Sequence, residues 1–240
     1  MPWIASLVND STDGKMSPTL NGPSMFMVGP FYGQYGTGVT LNTSTTEWSL
    51  LFNIASSSST INAATAPTPS TAISPINLSS DPTGKGPGAT LYLPGSSQLN
   101  VPTGPYGALA LGSIFAGSFF GSINNTSTPT IRFRLYLRNA ATGAVAYTIA
   151  DTTAFTMATI SGGPLGIMIN PSFSVSAVGA TGSIIGNIEV TYGPNGWFGV
   201  PITTAVDTRQ SYILDLTAQW GTSSASNALN INTGAFELLV

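Results

Sequence analysis

The sequence predicts an all-β fold: an antiparallel β-sandwich or jelly roll behind an extended N-terminal arm rich in Pro, Ser, Thr and Gly. Three observations carry this. Apolar and polar residues alternate strictly in several segments of the second half, which is the period of a strand with one face buried. Turn residues punctuate that half at strand-length intervals, and no segment of about ten residues or more combines a helical period with caps. Proline is unevenly distributed: 12 of the 17 prolines lie in residues 1–105, where they interrupt continuous sheet or helix. The chain therefore divides into an arm or small β region, 1–105, and a sandwich domain, 106–240.

The first region offers only short strands: Gly38 to Leu41, Trp48 to Ile54 and Ala89 to Leu93. Between them, Ser56 through Pro75 is of low complexity, and its Ala-Pro-Thr-Pro-Ser core favours extended, polyproline-like backbone. An arm lying along neighbouring subunits is the reading preferred over a plain linker. Ala108 to Phe120 is the most apolar stretch, too short for a membrane helix of about 20 residues. In Thr130 to Arg138, Ile131, Phe133, Leu135 and Leu137 point one way, and Arg132, Arg134, Tyr136 and Arg138 the other. Asn139 to Gly143 then forms a turn, and Ala144 to Ile149 returns as the partner strand. Phe173 to Val178 alternates again. Ser183 to Tyr192 follows, with Gly186 placed as a bulge. Asn195 to Gly199 reads as a turn leading into a strand. Gln210 to Thr217, Ala228 to Ile231 and Ala235 to Val240 complete the sheets. No fixed-period repeat is present.

Composition removes most chemistries. Cysteine and histidine are absent, which excludes disulfides, thiolate or imidazole metal sites and Ser-His-Asp catalysis. Charged residues make up 6% and the net charge is -3, a poor match to a phosphate backbone, so no nucleic-acid partner is expected. Hydrophobic residues reach 42%, the reverse of a disordered chain. A surface built from Ser, Thr, Asn and Gly has little repulsion to oppose association, which points to burial in an assembly. The start of the sequence has neither a basic n-region nor a long apolar run, so neither a signal peptide nor membrane insertion is expected.

Catalysis without histidine would need paired carboxylates. Asp151 reads as a turn cap, Asp207-Thr208-Arg209 as a turn with a local ion pair, and Asp215 as a strand residue facing away from Leu214 and Leu216. No spacing singles out a catalytic pair, so no enzyme, cofactor or metal is expected. Asp10 to Lys15 lacks the oxygen positions of a calcium loop, and Gly33 to Gly38 lacks the Lys-Ser/Thr of a phosphate loop. The candidate contacts are of two kinds. Arg132, Arg134 and Arg138 form either a solvated outer face or intersubunit contacts to a neighbour's carboxylates. Trp197 and Trp220 are candidate glycan contacts.

The segment from Tyr212 to Asn232 resembles the C-terminal end of jelly-roll-like domains in tailed-bacteriophage virion surface proteins, including head-decoration and fibre proteins. The shared features are the aliphatic strand Tyr212-Ile213-Leu214-Asp215-Leu216, the Gln219-Trp220-Gly221 turn, the Ser224-Ala225-Ser226-Asn227 run and a final strand. Thr130 to Ile149 is similar to an earlier hairpin of such domains. The resemblance implies a non-enzymatic protein of the capsid exterior, made in the host cytoplasm. It implies a homotrimer, with the major capsid protein as partner and the arm as a clamp on the shell. A fibre or spike with a glycan-binding tip, and a jelly-roll shell protein, are the alternatives.

Overall fold

The computed structural model describes residues 111–139, 144–210 and 212–239, Leu109, and short N-terminal pieces. The pieces are β1 (Leu7–Asn9), β2 (Met16–Pro18), β3 (Met27–Val28), β4 (Val39–Asn42), β5 (Trp48–Ser49), β6 (Thr60–Ile61) and β7 (Tyr92–Leu93), with Thr45, Glu47 and Leu50. The long elements follow: β8 (Ile114–Asn124), β9 (Thr130–Asn139), β10 (Val145–Asp151), β11 (Phe155–Thr156), β12 (Leu165–Ala177), β13 (Gly182–Tyr192), β14 (Asn195–Phe198), β15 (Ile202–Val206), β16 (Tyr212–Trp220) and β17 (Ala228–Leu239). Apart from its short strands, the expected arm lies outside the described residues, as do the Asp10–Lys15 turn and the Gly33–Gly38 run.

The fold is all-β, and the described residues contain no helix. The larger sheet runs β14-β13-β12-β8-β17-β4-β6, with β15 also on β13 and β3 also on β17. The smaller runs β10-β9-β16-β5, with β11 also on β9 and β7 also on β16. The long strands pair antiparallel, while β4 and β6 pair parallel. β4 overlaps the expected strand Gly38 to Leu41, β5 and β7 fall within the other two, and all three join the sheets of the second half, β4 on β17 and the others on β16.

The two sheets close over one core. Phe115, Phe119, Phe173 and Phe236 come from the larger sheet, and Phe133, Leu135, Leu214, Leu216 and Trp220 from the smaller. Phe115 stacks on Phe173 with ring centroids 4.4 Å apart. The alternation in β9 is realised in full: Ile131, Phe133, Leu135 and Leu137 are all buried. Removing such side chains from water is the main force closing a sandwich.

Two local expectations are corrected. Gly186 is not a bulge. It pairs in unbroken register with Phe173 and Ile202, and the β12–β13 irregularity falls between Val175 and Ala177. Gly186 faces the core where β10 crosses; a Cβ there would stand 2.0 Å from the Ile149 carbonyl oxygen. The missing side chain admits the opposing backbone. The strand predicted to begin at Phe173 begins at Leu165 and runs through Pro171. Proline has no N–H to give, and the β12–β8 register is interrupted between Ile169–Phe119 and Ser172–Ala116. The apolar stretch ending at Phe120 contributes to β8, which is central, with β12 and β17 on its two sides.

Candidate functional site

The outer face of the smaller sheet is built by alternation. With its apolar residues inward, β9 turns Arg132, Arg134, Tyr136 and Arg138 outward, and β16 likewise turns Asp215, Thr217 and Gln219 outward. Register sets Asp215 opposite Tyr136, and Asp151 of β10 opposite Arg134. Residues directly opposite share a face, and diagonal neighbours are within reach of long side chains. Glu47, just before β5, lies across this face. It accepts hydrogen bonds from Thr217 Oγ1 at 2.5 Å and from the Tyr136 hydroxyl at 2.9 Å.

Every arginine of this face meets a carboxylate of its own chain. Arg132 makes a two-pronged pair with Asp151, its Nε standing 2.8 Å from Oδ1. Arg134 reaches Glu47 at 2.6 Å and Asp151 at 3.5 Å. Arg138 donates to Asp215 at 2.7 Å. That last pair is buried, the side chains being 8% and 0% exposed. Three cations and three anions cancel. Of these arginines, Arg132 keeps a side chain 36% exposed, while Arg134 and Arg138 are enclosed by neighbouring strands and Glu47. Carboxylates of the same chain, Glu47, Asp151 and Asp215, already meet Arg132, Arg134 and Arg138.

Asp151 and Tyr136 of this face carry shifted acidities. Burial pushes the Asp151 carboxyl upward. The Arg132 hydrogen bond, the Thr153 amide and the two arginine charges outweigh it and hold the carboxyl below its ordinary value. Burial, then the Glu47 charge, pushes the Tyr136 phenol up to about 12, against the pull of Arg134. Asp151 also accepts the Thr153 N–H at 2.7 Å, which is the expected turn cap and holds β-branched Thr153 at a positive φ of 56°. The expected Asp207–Arg209 ion pair is present at 2.9 Å. The Arg209 hydrogen bond first, opposed by slight desolvation, brings Asp207 down to about 2.

This arrangement is ill suited to acid–base chemistry. A general acid at neutral pH needs a raised carboxyl pKa, and Asp151 is shifted the other way by the arginines beside it. Among the described residues, no group of three or more His, Cys, Asp or Glu is placed to hold a metal ion.

Both acidity shifts give measurable results. A lowered carboxyl stabilises the fold above its ordinary pKa of 3.8, and that contribution is lost as pH falls through the lower folded value. Asp151→Asn should melt lower than wild type at neutral pH and lose less of its melting temperature on acidification from about pH 5 to about pH 2. A raised phenol stabilises the fold below its ordinary 10.0 and ceases to do so as pH rises through about 12. A tyrosinate absorbance titration should contain one step near 12 that is missing in Tyr136→Phe.

The two candidate tryptophans part company. Trp220 is fully buried, and its Nε1 donates to the Leu41 carbonyl at 3.4 Å. As the final residue of β16 it continues the inward alternation of Leu214 and Leu216, so it cannot touch a glycan, and that expectation is corrected. Trp197 sits opposite Val190 on the inward side of β14, at the rim between the sheets. It stacks on Phe155 at 4.9 Å, donates to the Thr152 carbonyl, and remains 36% exposed.

The outer face of the larger sheet was not singled out by the sequence reading. Ile114 and Phe120 of β8, Ile185 of β13 and Phe198 of β14 are all exposed there. Phe198 belongs to this face because it lies directly opposite Glu189. The middle of the face carries small side chains: Ala116 is opposite Ser172, and Ser118 donates to Asn170 at 3.1 Å. Glu189 lies on this face, and the register sets Glu237 of β17 opposite Ala116. The signal was the alternation Ile114, Ala116, Ser118, Phe120 within the apolar, glycine-bearing stretch.

No family model matches the chain, and no curated protein matches it. Solved structures similar to it include a seed lectin isoform of Lotus tetragonolobus at 11% identity and a TM-score of 0.31, covering 53% of this chain and 73% of that one. Peanut lectin with a nine-residue peptide matches at 12% identity and 0.29, covering 55% and 74%. The lectin UEA-II complexed with galactose matches at 11% and 0.27, covering 53% and 73%. Likenesses this distant carry no weight for what this chain binds.

Proposed function

We propose that this chain is a non-enzymatic structural protein of a virion, a capsid decoration or cement subunit that self-associates and attaches to the major capsid shell. The supporting observation is how its few charges are distributed. Arg132, Arg134, Arg138 and Arg209 are each paired within the chain. An outer sheet face with four large exposed apolar side chains and no arginine among its described residues is left for contact. Large apolar side chains set around a flat, small-residue centre suit protein–protein contact. The identity of the assembly comes from the sequence resemblance, which also implies three chains.

The test is to purify virus particles from the source culture and look for this chain by mass spectrometry. The reading predicts that it co-sediments with particles and stays attached in about 0.5 M salt, because burial rather than charge would hold it. Absence from particles, or release near physiological ionic strength, would sink it. Trp197 favours a second reading, a host-glycan contact by a fibre or spike, since its ring is exposed and braced by Phe155. Unchanged glycan-array binding in Trp197→Ala would remove that reading.

A further inference from the structure

We propose that the outer face of the larger sheet docks against the same face of a second copy of this chain, the two sheets packed about a two-fold axis. The first argument is area. β8, β12, β13 and β17 contain 11, 13, 11 and 12 residues, and β14 and β15 extend β13 at one edge. At about 3.3 Å per residue and about 4.8 Å between strands, the face measures roughly 36 by 24 Å. Pairing two such faces covers roughly 1,700 Å², the size of a stable protein–protein contact.

The second argument is relief. Ala116, Ser118 and Ser172 occupy the middle, and small side chains let a facing sheet approach to about 10 Å. Ile114 and Phe120 flank them on β8, six residues or roughly 20 Å apart along the strand. Ile185 and Phe198 lie toward the β13–β14 edge and are 39% and 67% exposed. Apolar groups around a close-approach centre suit a facing copy of the same surface.

The third argument is charge. The face holds Glu189 and, by register, Glu237 opposite Ala116, and no arginine among the described residues. Two carboxylate positions on a face of this size leave most of the contact uncharged, so apolar burial rather than ion pairing holds it. The pairing is isologous and does not depend on the virion reading.

The native chain has no cysteine, so single-cysteine variants report cleanly. The full-length Ser172→Cys protein, treated with a bismaleimide of about 10 Å span, should give a two-chain product. Thr156→Cys, exposed on the other sheet, should not. Light scattering should give wild type the mass of two chains, or of six if a three-fold contact also operates. Ser172→Arg should halve the two-chain mass, or lower the six-chain mass to three, with an unchanged circular-dichroism melt. Three results would overturn the proposal: a wild-type mass of one or three chains, a Ser172→Arg protein of unchanged mass, or equal cross-linking of both cysteine variants. Failure to find the chain in particles would leave these readouts untouched, so the two readings fail separately.

Discussion

Replacing Asp215 by Asn should lower the unfolding free energy by about 3–5 kcal/mol, the usual cost of stranding one member of a buried ion pair. Asp215 is fully buried and Arg138 nearly so, with 2.7 Å between them. Asparagine keeps the volume and removes the charge, leaving the guanidinium in a site with too little water to solvate it. At about 2–4 °C per kcal/mol for a chain of this size, the melting temperature falls by roughly 6–20 °C. Replacing both partners by apolar residues, Arg138→Met with Asp215→Leu, should recover most of that loss, because the desolvation cost then disappears with the charges. A loss below about 1 kcal/mol in Asp215→Asn would mean that the pair behaves as an exposed one.

Trp220→Ala should cost a similar amount, about 3–5 kcal/mol, from lost burial and the cavity left behind. Trp220 is fully buried beside the Leu41 carbonyl at the end of β16. Trp197→Ala removes a stack on Phe155 from a partly exposed site and should cost about 1 kcal/mol. Chemical denaturation of the two variants in parallel separates core from surface. Equal losses would contradict the placement of Trp220 in the core.

The fold was legible wherever alternation was clean. Thr130 to Arg138 and Tyr212 to Thr217 could be read as half-buried strands because one face is aliphatic and the other polar. It was not legible where both flanks of a strand are paired and small residues fill it. In Ile114–Asn124 the small residues Ala116, Gly117, Ser118, Gly121 and Ser122 fall on both faces, so its central place in the sheet left a weak pattern. Pro171 misplaced the start of β12, because proline ordinarily belongs at a sheet edge.

The arginine face was half legible. The stripe itself follows from period two, and so does the outward direction of Asp215. Its partners do not, because they depend on register. Arg138 stands opposite Ile213 and meets Asp215 on the diagonal. Glu47 comes from the Pro-rich first region, 87 residues before Arg134 in sequence, and no local pattern links the two. Trp220 shows the same gap from the other side. Read as part of a turn, it looked accessible; read as the last inward residue of β16, it belongs to the core.

We propose that burial of weakly charged, apolar surface, rather than charge attraction, holds this chain in an assembly. The most direct measurement is the light-scattering mass of the purified full-length protein at about 0.05 M and about 0.5 M salt, which changes the reach of charge interactions roughly threefold. A mass of more than one chain, unchanged between the two, is expected. A single-chain mass at both salt concentrations, or an oligomer that dissolves as salt rises, would contradict it.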